Sequence, residues 1–189
     1  GINGDPVHSL RTSHIKSSRK VVSVRIKEHE LDKYLEKELY INSYLNNINY
    51  PGVIKAIACN NLGGTILNIE CSAFKGTGKF TCTGSLGDVA KESINVAINY
   101  IRSNSSYFEV DENYFSTHDI HIHFTENALL KDGPSAGIAI TTALLSLIKN
   151  RIVNSNISMS GEITLKGQIL KVAGIKEKSI AAIRNKIEN

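Results

Sequence analysis

Residues 135–150 read Ser-Ala-Gly-Ile-Ala-Ile-Thr-Thr-Ala-Leu-Leu-Ser-Leu-Ile-Lys-Asn, which spreads Ile138, Ile140, Ala143, Leu144, Leu147 and Ile148 around nearly the whole circumference of a helix. A helix with so little polar face has nothing to offer water and must be enclosed. No apolar run in the chain approaches the roughly 18–20 residues of a membrane span, so the enclosure has to be protein. The remaining segments are therefore read for what they can wrap around this helix.

Four strand-like segments precede it, at 52–58, 65–71, 79–83 and 119–124, with Gly63-Gly64 as a hairpin signal between the first two. Between the last two, 86–104 carries Leu86, Val89, Ala90, Ile94, Ala97, Ile98 and Ile101 on one stripe, the mark of an amphipathic helix. Ser85 is the expected cap of that helix, and Asp88 suits its first turn. After the apolar helix come a strand at 157–160, a turn, a strand at 168–172 and a helix from about residue 175. Nearer the N-terminus, 20–26 alternates as a strand, 28–39 has helical spacing, and 42–49 reads as an Asn-rich loop. Residues 1–19 show no sustained period and read as a cloning scar plus linker. Strands and helices mix without strict alternation, so the expected class is α+β, mixed sheets packed with about three or four helices. A chain of 189 residues with 41% hydrophobic content can bury one such core.

Charge and cysteines narrow the function classes. The net charge of +4 comes from 22 Lys+Arg against 18 Asp+Glu, scattered along the chain and without any Trp. Nucleic-acid binders concentrate such charge and interleave aromatics, so this is a weak signal for them. Cys59, Cys71 and Cys82 are odd in number and lack CxxC spacing, against a disulfide framework or structural zinc and in keeping with a reducing compartment.

Three segments look like chemistry. Phe74-Lys-Gly-Thr-Gly-Lys-Phe80 lacks the first Gly and the final Ser/Thr of a phosphate loop, where Ala73 and Phe80 stand, and reads as a turn. His121 and His123 share one strand face opposite Ile120, Ile122 and Phe124. A metal there needs a third ligand that nothing nearby supplies, which favours a hydrogen-bonding role. Gly133-Pro-Ser-Ala-Gly137 matches GxSxG, but no strand leads directly into it and every histidine lies upstream, unlike the α/β-hydrolase order. A His-Asp-Ser arrangement from His121 or His123 with Asp132 stays open at this point. So does activation by a lysine whose pKa burial lowers, for which Lys178 among Ile175, Ile180, Ala181 and Ala182 is the candidate. Ser135 opens the buried helix, where free backbone N–H groups favour developing negative charge, and Gly137 lets another backbone approach.

Lys131-Asp-Gly-Pro-Ser-Ala-Gly-Ile-Ala139, Met159-Ser-Gly-Glu-Ile-Thr-Leu165 and Gly174-Ile-Lys-Glu-Lys178 together resemble the proteolytic domain of Lon proteases, ATP-dependent Ser–Lys peptidases. Thr83-Gly-Ser-Leu-Gly87, Asp119-Ile-His-Ile-His123 and Gly167-Gln-Ile-Leu170 extend the resemblance, which runs from about residue 20 to the end. It implies the Lon proteolytic-domain fold, with Ser135 as nucleophile and Lys178, 43 positions later, as general base. Ser160 falls where the family carries a threonine that orients the lysine. Glu70, His121, His123, Asp132, Gly133 and Ala136 fall at positions that the resemblance places around the active site. The sequence departs from the family at Ser160, in 124–130, which lacks the usual prolines, and at Lys171, where proline is common.

The resemblance also implies organisation. Residues 20–189 are expected to form the proteolytic domain, short at its C-terminus, with no cofactor of its own. ATP and magnesium belong to an ATPase module outside this chain. Expected partners are unfolded proteins or peptides as substrates and other copies of the chain in a hexamer, without a membrane, and with nucleic-acid contact only in the full-length protein. The 174–182 segment favours the mitochondrial matrix, with a bacterial cytoplasm as the alternative. If water reached Lys178, its pKa would return toward ~10.4, so an isolated domain is expected to be weakly associated and slow, with activity rising toward alkaline pH. A non-catalytic Lon-like domain serving assembly or DNA binding is the second reading; retention of both Ser135 and Lys178 counts against it.

Overall fold

The computed structural model describes residues 27, 49–60, 63–126 and 130–188. The chain divides into two units, Gly1–Ile41 and Asn42–Asn189. The expected strand at 20–26, the helix at 28–39 and nearly all of the loop at 42–49 lie outside the described residues.

Alternation in the second unit builds a five-stranded mixed sheet from β1 (Val53–Asn60), β2 (Gly63–Lys75), β3 (Phe80–Thr83), β4 (His118–Phe124) and β5 (Ser158–Met159), in the order β3-β4-β2-β1-β5. The β1–β2 and β2–β4 pairs are antiparallel, and β3–β4 and β1–β5 are parallel. Register sets what each face carries. Ile54 pairs with Ile69 and Ile69 with Phe124, while Ala56 pairs with Leu67 and Cys71 with Ile122, so one face is a continuous apolar surface. The alternate positions place Glu70 beside His123, and Ser72 beside His121, on the opposite face.

Helices α1 (Asp88–Ser103) and α3 (Gly137–Ile148) cover the apolar face. Ile94, Ala97, Ile98 and Ile101 of α1 meet Ala139, Ile140, Ala143 and Leu144 of α3 in the core. Burying each Ile or Leu contributes about 1.5–3 kcal/mol, enough to explain why the most apolar helix lies innermost. α2 is a single turn, Tyr114–Thr117, ahead of β4; α4 (Ile175–Arg184) lies near the chain end. A second sheet pairs β6 (Glu162–Ile163) with β7 (Ile169–Leu170). Among the described residues the architecture is α+β, with mixed strands and four helices. β6 and α2 are absent from the sequence reading, because two residues of strand and one turn of helix carry no measurable period.

Two expectations about helix starts change. Ser85 does not cap α1: the helix starts after Gly87, and Ser85 itself is left-handed, with φ 55°. α3 starts at Gly137 rather than at Ser135, since Pro134–Ala136 forms a separate 3₁₀ turn. Among the described residues no helix is long and apolar enough to cross a membrane.

Candidate active site

Ser135 lies in the middle of that 3₁₀ turn. Pro134 opens it with a φ already suited to a first helical position. Gly137 ends it, and a side chain there would stand 2.7 Å from the backbone nitrogen of Ile163, so only glycine lets β6 lie against the turn. Two backbone bonds join the pieces: Gly161 N–H donates to the Ser135 carbonyl at 2.8 Å, and Ile138 N–H donates to the Gly161 carbonyl at 3.1 Å. Ahead of the turn, Gly87 N–H donates to the Lys131 carbonyl and Lys131 N–H to the Ser85 carbonyl, each at 2.9 Å. Asp132 Oδ1 then accepts from the N–H groups of Val89 at 3.0 Å and Ala90 at 3.3 Å. The cap expected of Ser85 thus comes from Asp132, which offers a full negative charge to the first turn of α1.

Lys178 reaches the same place on α4. The helix opens at Gly174, in the left-handed region with φ 71°. It rests on β2 where Gly64 has no side chain; a Cβ at Gly64 would collide with the Glu177 carbonyl. Lys178 and Ala181, three apart, turn inward with 4% and 2% exposure. Ile175 and Ile180, expected around Lys178, are exposed instead. Burial lowers the Lys178 pKa below its ordinary 10.5, opposed by the Cys59 thiol. Lys178 is thus enclosed by residues of this chain alone, contrary to the expectation that an isolated domain would let water reach it. Its Nζ donates to Ser160 Oγ at 3.0 Å, and Ser160 Oγ donates to the Ser135 carbonyl at 3.5 Å. No hydrogen bond joins Ser135 Oγ to Lys178 Nζ among the described residues. Both line one cavity of about 490 Å³, whose wall includes Ala56, Leu67, Phe124 and Val172.

A family model described as the Lon protease (S16) C-terminal proteolytic domain matches residues 25–189. The chain belongs to this family. It is 42% identical over 169 residues to a Lon protease of Malacoplasma penetrans, covering 89% of this chain and 22% of that protein. Against a Lon protease of Desulfosudis oleivorans the identity is 44% over 165 residues, 87% of this chain and 20% of the relative. Against one of Buchnera aphidicola it is 40% over 192 residues, 96% and 25%. The chain therefore spans only a fifth to a quarter of the length of these relatives.

Of the residues assigned from the Lon resemblance, Asp132, Gly133, Ser135, Ala136 and Lys178 line the one cavity, and Ser160 adjoins it through Lys178. Glu70, His121 and His123 do not. They line a second cavity on the opposite sheet face, with Tyr50 and Ser72. Both histidines converge there on Thr83 Oγ1, at 2.9 Å from His121 Nε2 and 2.7 Å from His123 Nδ1. The His-Asp-Ser alternative fails on the same ground: strand alternation turns the imidazoles away from Ser135, and Asp132 faces α1. Among the described residues no three His, Cys, Asp or Glu side chains are arranged to hold a metal ion.

The glycine-containing segment between β2 and β3, 76–79, is a turn whose N–H groups are already engaged, Gly76 N–H by the Thr117 carbonyl. Asp119 Oδ1 accepts from Thr77 at 2.7 Å and from Lys79 at 2.9 Å, and these bonds lower the pKa of Asp119. Two residues that shape the cavity, Cys59 and Gly64, have no site role in the sequence, where Gly64 counts only towards the hairpin signal. Cys59 gives no local sign of lining the cavity, but Gly64 is half of a Gly-Gly pair that a hairpin alone need not contain.

Proposed function

We propose that this Lon-type domain is a serine endopeptidase in which Ser135 attacks and Lys178 acts as base. The observation that carries the reading is the burial of Lys178 in the cavity wall it shares with Ser135, with a hydroxyl as its partner instead of a carboxylate. Neutral Lys178 takes the Ser135 Oγ proton as Oγ bonds to a peptide carbonyl carbon. The resulting oxyanion is met by the Ser135 N–H. The C–N bond then breaks as Lys178 returns the proton to the leaving amine, which leaves an ester on Ser135. Water, deprotonated by Lys178, attacks that ester; the C–O bond to Ser135 breaks as Lys178 gives the proton to Oγ, releasing the new carboxyl end and restoring the neutral lysine. Ser160 holds Lys178 Nζ in line during each of these proton transfers. Catalytic hydrogen bonds often tighten only when substrate binds, so Ser135 and Lys178 need not be bonded in the free protein.

The full-length protein, on this reading, degrades unfolded or misfolded proteins, with ATP and magnesium used by a separate module and several copies assembled in a ring. The relatives' identity as Lon proteases supports the activity, and their bacterial sources favour a bacterial cytoplasm over the mitochondrial matrix. In the full-length protein, Ser135→Ala and Lys178→Ala should each reduce cleavage of a short fluorogenic peptide by roughly a thousandfold or more. A Lys178→Ala enzyme that cleaves at the wild-type rate, beside a dead His121→Ala or His123→Ala enzyme, would overturn the choice of base.

A further inference from the structure

We infer that Ser93, on α1, is a positioning residue for the nucleophile turn, acting through the Pro134 carbonyl on the direction of the Ser135 N–H. The inference rests on the Ser–Lys reading of the site. Ser93 is 7% exposed and sits on the buried face of α1 beside Ile94 and Ala97. Alanine is a better helix former and would place no hydroxyl in the core there. A serine inside a helix commonly bonds back to a carbonyl of its own helix. Ser93 instead reaches off the helix, and its Oγ donates to the Pro134 carbonyl at 3.3 Å.

The geometry of one peptide unit turns that contact into control. In the planar trans peptide between Pro134 and Ser135, the C=O and the N–H point in opposite directions. The Pro134 carbonyl accepts from Gly137 N–H, the bond that closes the 3₁₀ turn, and from Ser93 on α1. Fixing the carbonyl toward α1 fixes the Ser135 N–H away from it, and that N–H donates to no group among the described residues. A single 3₁₀ turn has little internal bonding to resist rotation of this unit. Ser93 adds the external hold, complementing Asp132, which ties down the approach two residues earlier.

The effect belongs to the transition state, because the N–H matters only once the carbonyl oxygen becomes an oxyanion. In full-length protein, Ser93→Ala should lower kcat on a short fluorogenic peptide roughly ten- to a hundredfold while KM stays within about twofold. Affinity for a peptide boronate, which forms a tetrahedral adduct on Ser135 Oγ, should fall by a similar factor. Ser93→Thr keeps the hydroxyl and should recover most of both. Ser93→Cys keeps the volume with a weaker donor and should lie between, which provides a folded variant should Ser93→Ala lose structure. The inference is overturned if Ser93→Ala retains kcat and boronate affinity within twofold, if Ser93→Thr is as impaired as Ser93→Ala, or if only KM moves. Cleavage that survives in Ser135→Ala would instead sink the Ser–Lys reading. A dead Ser135→Ala enzyme beside a fully active Ser93→Ala enzyme sinks this inference alone.

Discussion

Taking an ammonium out of water costs free energy unless hydrogen bonds replace its hydration, and at Lys178 the replacement is one hydroxyl, that of Ser160. The lowered pKa means that, between the folded value and 10.5, the unfolded chain holds more protons than the folded one, so stability rises with pH across that window. Below it the penalty is present in full. Lys178→Met should therefore be more stable than wild type at neutral pH, with an advantage that shrinks as pH climbs toward 10.5; urea midpoints measured from pH 7 to 10.5 test this. The same burial predicts that peptide cleavage rises with pH through an apparent pKa below that of a free lysine. Asp132 is different in kind. Asp132→Ala removes the cap of α1 and should cost about 1 kcal/mol, whereas Asp132→Asn, still able to accept from Val89 and Ala90, should cost less; the check is again the urea midpoint. Ser135 and Lys178 become candidates in the sequence through the Lon resemblance rather than through residue type alone, and the fold brings both to the wall of one cavity. Nothing local announces that Asp132 caps the first turn of a helix at Val89, 43 residues earlier in the chain. Ser93 is an intermediate case: a lone hydroxyl on an apolar stripe is visible in the sequence, but its partner is not.

At the scale of elements, α4 decides whether Lys178 is buried at all. Its inward face is narrow, with Lys178 and Ala181 buried while Ile175, Ile180 and Ile183 remain exposed, so its position depends on close contact with β2 at Gly64. Gly64→Ala should lift the helix, let water reach Lys178 and move the pH–rate profile to higher pH, while Ser135 keeps its turn. An unchanged profile in a folded Gly64→Ala protein would contradict this account of α4. Long elements with a clear period, β1, β2, β4, α1 and α3, are readable because periodicity accumulates over their length. β6 is two residues long and is held by Gly137 and Gly161, contacts made by backbone that leave no pattern in side-chain type.

Across the whole molecule, the sheet separates two cavities that sequence resemblance had joined. The Ser135–Lys178 cavity opens on the face shared with α1 and α3, and the His121–His123–Glu70 cavity on the other. His123→Ala should therefore loosen the β3–β4 edge, where Thr83 bridges both imidazoles, and lower the melting temperature without changing the shape of the pH–rate profile. A shift of that profile would show that the two faces communicate through the sheet. Ser135 and Lys178 also differ in how they are mounted. Ser135 and Ser160 belong to segments knitted together through Gly161, so they travel as one piece. Lys178 arrives on a separate element, α4, which meets that piece at the Ser160 hydroxyl and packs closely on β2 at Gly64 and on β1 at Cys59. The domain is in this sense a two-part lock whose bolt is seated and whose key is removable. On the proposed Ser–Lys reading, a force or ligand that pries at α4 would withdraw Lys178 while leaving the Ser135 turn intact and ready to resume.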